Sequence, residues 1–268
     1  MILLLMKHIL LFLILCGAFP AISHSEIIEG SHLEREPLEM SEGWSFLPRG
    51  RAFGVIPSDP RDLKLGLRKN SRKQLEADVG GYRSIAGWKG DLWNETTLAH
   101  VGIEGNGYFE MRQEGSKFPL LSSDGLVGLF AEASRGELAY QVRYTHISAH
   151  LSDGLFSLRS PILYTREFLA LRLARRFNAF RAYLGYQFLT HTAPELPRHS
   201  AELGAYSYLP WNSGSLHPYV GADFRLRNAR EGNSFQIGIG AAFLSRYGTP
   251  PIRIGVNYFS GNDLRGQF

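Results

Sequence analysis

Tyr144 to His150, YTHISAH, places a histidine and a serine two residues apart in a segment that otherwise alternates between apolar and polar side chains. A serine hydroxyl is a weak nucleophile until a neighbouring imidazole takes its proton, and a third group must then hold the ring in the right tautomer. In an extended strand, residues i and i+2 point to the same face. His146 and Ser148 therefore share a face with Tyr140, Val142 and Tyr144, the arrangement that acyl transfer needs. The bland alternative is a pair of polar side chains where a strand leaves its apolar surroundings. Spacing argues against a metal pair: on a strand, His146 and His150 would stand about 13 Å apart, too far to share one ion.

A strand at this position agrees with its neighbours. In HPYVGADFRLRN, Val220, Ala222, Phe224 and Leu226 form one face and Tyr219, Gly221, Asp223, Arg225 and Arg227 the other. Phe235, Ile237, Ile239, Ala241 and Phe243 repeat the pattern, as do Phe180, Ala182, Leu184, Tyr186 and Phe188, and then Ile252, Ile254, Val256 and Tyr258. Such period-two alternation predicts a sheet with two unlike faces. A soluble periplasmic β-sandwich would give the same pattern with its apolar face buried. Several segments run about 10 residues or more, the length of a tilted bilayer-crossing strand rather than of a typical soluble one.

The chain has 268 residues, 12% of them aromatic, with 29 glycines and a mean hydropathy of -0.14. That is too polar for a bundle of membrane helices and too apolar for disorder. Residues 1–25 read as a cleaved export signal: a short apolar run from Ile9 to Ile22 follows Lys7, and Ala21 and Ser23 stand where a signal peptidase cuts. MKHILLF from Met6 is the more regular start of such a signal. The sole cysteine, Cys16, lies inside it, so disulfide and thiol chemistry are not expected of the exported product. With 29 basic and 25 acidic residues the net charge is +4, lowered by one when Lys7 leaves, too balanced to argue for nucleic acid.

Residues 26–60 lack a steady period and are expected as an extended periplasmic lead-in, and residues 61–268 as the β-barrel domain. Strands are expected over 62–69, 75–87, 98–112, 122–133, 137–148, 163–174, 179–190, 199–209, 217–227, 234–244 and 251–260. Bacterial barrels normally have an even count with long loops outside, so LRGQF, residues 264–268, is taken as a short twelfth strand. Trp88, Trp93, Tyr144, Tyr206, Tyr208 and Trp211 are expected in an interfacial girdle. Arg166, Arg172, Arg181, Arg225, Arg227 and Arg253 either line a pore or pair with Asp223, Glu202 or Glu167 in a plugged lumen.

Three blocks, LPRGRAFGVIPSDPRDLKLGL, FPLLSSDGLVGLFAEASRGELAYQVRYTHISAHLSDGLF and YFSGNDLRGQF, resemble successive blocks of the domain-of-unknown-function 1207 family of exported bacterial proteins. The resemblance spans most of residues 47–268. It implies export and a barrel but names no substrate, and Gly154 stands where the family would carry an acidic residue. The terminal Phe268 resembles the aromatic by which the barrel assembly machinery recognises its clients. HIS at 146–148 resembles the His-x-Ser motif of outer-membrane phospholipase A and lipid A deacylase, which implies His146 as base and Ser148 as nucleophile on a lipid-facing wall. In those enzymes an Asn or Glu orients the histidine from 14 residues beyond it, a position held here by Ser160. Asp153 and Glu167 are the charged substitutes at hand. Calcium is implied as a cofactor only under the phospholipase-like reading.

The sequence thus predicts an all-β chain, an antiparallel transmembrane β-barrel of the bacterial outer membrane with ten to twelve strands. It would contact outer-membrane lipids, without a resident cofactor, in a surface or lipid-contacting role. Two alternatives stand beside this: a membrane-embedded serine acyl hydrolase acting on lipid A or phospholipid, and a narrow pore for small solutes. No oligomeric state is implied.

Overall fold

The computed structural model describes residues 40–62, 65–71, 74–151, 164–177, 180–209, 216–227, 232–243 and 251–261. Twelve strands form one antiparallel sheet: β1 (Gly43–Phe46), β2 (Leu65–Lys69), β3 (Gln74–Leu92), β4 (Glu95–Arg112), β5 (Leu120–Arg135), β6 (Leu138–Leu151), β7 (Tyr164–Arg176), β8 (Arg181–Ala193), β9 (His199–Tyr208), β10 (Leu216–Leu226), β11 (Ser234–Phe243) and β12 (Ile252–Gly261). From β3 to β12 each strand pairs with the next along the chain. The eleven expected segments correspond to β2 through β12. The twelfth described strand is β1, at the other end of the chain from the expected LRGQF, which lies outside the described residues.

β1 and β2 occupy the same edge of β3 at its two ends, β1 on Ala86–Lys89 and β2 on Leu75–Val79. They are two halves of one interrupted wall strand. β3 and β4 also run further than expected, to Leu92 and from Glu95. The alternation fades in GWKGDLWNE, yet the ladder continues to a two-residue turn in which Trp93 and Asn94 take φ of 51° and 62°, the left-handed pair that matches strand twist in tight hairpins.

Burial along the strands is inverted relative to a soluble sheet. On β10, Tyr219, Gly221, Asp223 and Arg225 are buried, whereas Val220, Ala222 and Phe224 are half-exposed and Leu226 exposed. Val127, Leu129, Leu184 and Ile239 lie 58–60% open while Glu104, Glu132 and Arg143 are at most 5% open. This overturns the sandwich alternative, which requires its apolar face inside. The sheet instead curls with its polar face inward, the arrangement of a small barrel whose lumen is filled by side chains. Two of the expected girdle aromatics are corrected with it: Tyr206 and Tyr208 are buried, because counting by twos from Glu202 along β9 puts both on the lumenal face. Trp211 lies outside the described residues.

The lumen is filled by residues 51–62, the chain between the two halves of the first wall strand, much of which the sequence pattern assigned to the lead-in. Arg51 donates through Nε to Glu132 on β5 at 3.0 Å, and the Phe53 amide reaches the other oxygen of that carboxylate at 2.9 Å. The Ala52 amide donates to His100 Nε2 on β4 at 3.1 Å. Further along, Asp59, fully buried, accepts from Arg172 Nη2 on β7 at 2.7 Å and from Arg225 Nη2 on β10. Gln236 on β11 donates to the Ser58 carbonyl at 2.8 Å. Gly221 admits this segment: a Cβ there would lie 2.8 Å from Ser58 Oγ.

Twelve residues thus touch strands from β4 round to β11, which demands that the sheet wrap them. Around this axis, Phe53 and Ile56 pack among Ala139, Ala174, Tyr183, Tyr206, Tyr208 and Tyr219. Glu202 accepts from Arg172 Nη2 at 3.2 Å, and Tyr183 donates to Asp223 at 2.7 Å. Arg225 Nε also donates to Asp223 at 3.0 Å, so the expected arginine pairing holds for Asp223 and Glu202. Glu167 is a correction, because it faces outward.

Asp59→Ala should leave two buried guanidinium groups without their shared anion, and removing one partner of a buried pair costs about 3–5 kcal/mol. The expected outcome is a lower midpoint of chemical unfolding together with faster proteolysis at residues 47–62. An unchanged midpoint would show that the plug contributes nothing to stability.

Candidate functional site

His146 and Ser148 lie on the outward face of β6, beside the exposed side chains of Tyr140, Val142 and Tyr144. The inward face of the same strand carries Gln141, Arg143 and Thr145, all buried. Parity alone fixes this arrangement, since an inward His146 would force the whole apolar set of β6 into a charged lumen.

Register supplies the third group. His146 stands directly opposite Glu167 on β7, and Ser148 opposite Thr165. His146 Nδ1 lies 3.4 Å from Glu167 Oε1, and Tyr144 donates its hydroxyl to Glu167 Oε2 at 2.9 Å. Tyr144 and His146 therefore hold both carboxylate oxygens from one strand. A bulge between Glu167 and Phe168 shifts the next ladder so that Glu167 faces His191 on β8. With Nδ1 committed to the carboxylate, Nε2 is the ring nitrogen left to accept a proton. Among the described residues no hydrogen bond joins His146 to Ser148, as expected for neighbours at i and i+2 on a strand with nothing bound between them.

Of the orienting groups considered from sequence, Ser160 and Asp153 lie outside the described residues, and Glu167 is the one brought to the histidine. No fixed spacing points to it, because its place depends on the length of the chain between β6 and β7. Only the pattern of outward positions on β7, Thr165, Glu167, Leu169 and Leu171, narrows the choice.

Next to His146 the outer wall is hollowed. A furrow of about 780 Å³ is lined on its outward side by Gly81, Arg83, Ile103, Gly105, Val127, Leu129, Tyr144 and His146. Gly81 and Gly105 are cross-strand partners on β3 and β4. Missing side chains on adjacent strands make the trench, and its flanks are aliphatic apart from the exposed Arg83. The shape and chemistry suit an extended alkyl chain lying against the wall with its polar end at His146.

No family model, curated protein or solved structure matches this chain. Fold and site by themselves define its class: a plugged antiparallel β-barrel, apolar outside and charged within, with a tyrosine-histidine-glutamate cluster and an adjacent serine on its outer wall.

The opposite facing of neighbouring residues can be tested with single cysteines, since Cys16 is the one native cysteine. A fluorophore on Ser148→Cys should be quenched strongly by brominated detergent. The same label should barely attach to Thr145→Cys, whose parent side chain is fully buried. Equal labelling at both positions would contradict the register.

Proposed function

We propose that the protein is an outer-membrane β-barrel of a Gram-negative bacterium, related to the domain-of-unknown-function 1207 family and in direct contact with membrane lipid. The inverted burial carries this reading: aliphatic side chains more than half open around a charged interior make sense where the surrounding solvent is hydrocarbon. The signal-like residues 1–25 support export. The filled lumen supports a wall-side role over a pore. Cell fractionation tests this: the expected product sits in the outer-membrane fraction and migrates differently when boiled. Recovery in the soluble periplasmic fraction would overturn the proposal.

A second reading, membrane-embedded acyl hydrolysis, is favoured by the His146–Glu167 pair. In this mechanism Ser148 Oγ attacks an ester carbonyl while His146 Nε2 takes its proton. The imidazolium, held by Glu167, then protonates the departing alkoxide, and water attacks the acyl-serine through the same base in reverse. The furrow would hold the acyl chain of lipid A or phospholipid. Calcium requires six to eight oxygen ligands. Among the described residues no cluster of three or more acidic, histidine or cysteine side chains could hold a metal, so no step runs through it.

The test is fatty-acid release from lipid A and from phospholipid vesicles, with calcium and without. Ser148→Ala should fall to background. Glu167→Gln, which keeps the shape and loses the charge, should fall roughly a hundredfold or more if orientation of the imidazole matters as in serine triads. Inactive but folded wild type would leave His146 and Ser148 as a polar rim of the strand.

A further inference from the structure

Gly81 and Gly105 floor the furrow on the outer wall, and neither is glycine for want of room. A Cβ at Gly81 would meet nothing within 4 Å, and one at Gly105 only the Leu126 carbonyl at 3.5 Å. At Gly80, one residue away and facing the lumen, the same Cβ would overlap the Asn106 amide. Neither Gly81 nor Gly105 takes a positive φ. Packing thus demands glycine at Gly80, whereas at Gly81 and Gly105 glycine supplies empty space on the outer side, where a ligand can come close to the backbone.

The one permanent cation among the furrow's described lining residues is Arg83. It is exposed, and its side chain has no hydrogen bond or ion pair among the described residues. A charge left alone against hydrocarbon is costly and calls for a partner. Neither carboxylate nearby answers it. Glu104 is buried on the lumenal face and bonded to Arg143 at 2.7 Å, and Glu167, four strands round the wall, is held by Tyr144 and His146. Arg83 faces Ile103, Ile103 faces Leu129, and Leu129 faces Tyr144. Three strand spacings, about 14 Å between backbones, therefore separate the two ends. Side chains reaching in from both ends narrow that to the span of one lipid head group.

A guanidinium presents paired donors whose geometry matches phosphate oxygens. We propose that the furrow binds one anionic glycerophospholipid, with its phosphate on Arg83, its ester end toward His146 and one acyl chain along Ile103, Val127 and Leu129. The single cation matches the single phosphate of such a lipid, and the aliphatic flanks match its chain. The inference rests on the membrane reading and not on acyl hydrolysis, since binding needs neither Ser148 nor a proton transfer.

Native mass spectrometry of the full protein from nonionic detergent tests the site, after titration with dioleoylphosphatidylglycerol, dioleoylglycerol or lipid A. Arg83→Gln removes the charge, and Gly81→Leu fills the trench where a side chain meets no neighbour. Lys69→Gln removes an exposed charge on β2 as a control. One phosphatidylglycerol per chain is expected to bind saturably and in preference to the other two lipids. Affinity should fall about tenfold in both furrow variants, for Arg83→Gln the cost of one charge-assisted bond, and stay unchanged in Lys69→Gln. The proposal is overturned if folded wild type binds phosphatidylglycerol no better than dioleoylglycerol, prefers lipid A, or fills the furrow by forming a dimer. An equal loss in Lys69→Gln, or wild-type affinity in either furrow variant, overturns it as well. Cell fractionation reads membrane placement separately, so a negative titration of a protein found in the outer membrane strikes this inference alone.

Discussion

The carboxylate of Asp59, shared by Arg172 and Arg225, is the contact on which the rest of this barrel turns. Charges removed from water are costly unless paired with good geometry, and the inward faces of β4 through β10 carry many. A sheet with such an interior could not collapse on itself as a hydrophobic core does. It curls around a strap of its own chain that brings the complementary groups: Arg51 to Glu132, Asp59 to two arginines, and backbone amides at Ala52 and Phe53 to side chains on β4 and β5. Phe53 and Ile56 fill the remaining space among lumenal tyrosines.

With the polar surface satisfied inside, the aliphatic surface is left outside. The outer wall is therefore uniform except where polar side chains interrupt it. Tyr144, His146 and Glu167 bond to one another instead of to the lumen, and the glycine trench beside them is the main break in relief. On β7 the two faces alternate residue by residue, with Thr165 and Glu167 facing out and Arg166 facing in.

Much of the wall was legible because a two-residue period is imposed by strand geometry itself. The faces of β8, β10, β11 and β12 could be assigned residue by residue, and His146 and Ser148 could be placed outward by counting from Val142. The plug was not legible. Its side chains answer to partners far away in sequence, 113 residues for Asp59 with Arg172 and 81 for Arg51 with Glu132, so no local period marks it. Glu167 belongs with the plug in this respect, since register across β6 and β7 brings it to His146. Tyr206 and Tyr208 show the opposite failing: parity with Glu202 was available, but their aromatic character near a strand end suggested a girdle.

The interrupted first strand has a consequence for how the plug is retained. Because the strap is spliced between β1 and β2, it is tethered at both ends to the edge of β3. Drawn out of the lumen, it would still hang from that edge by both ends, so the plug is a built-in part of the wall and not a stopper that can be lost.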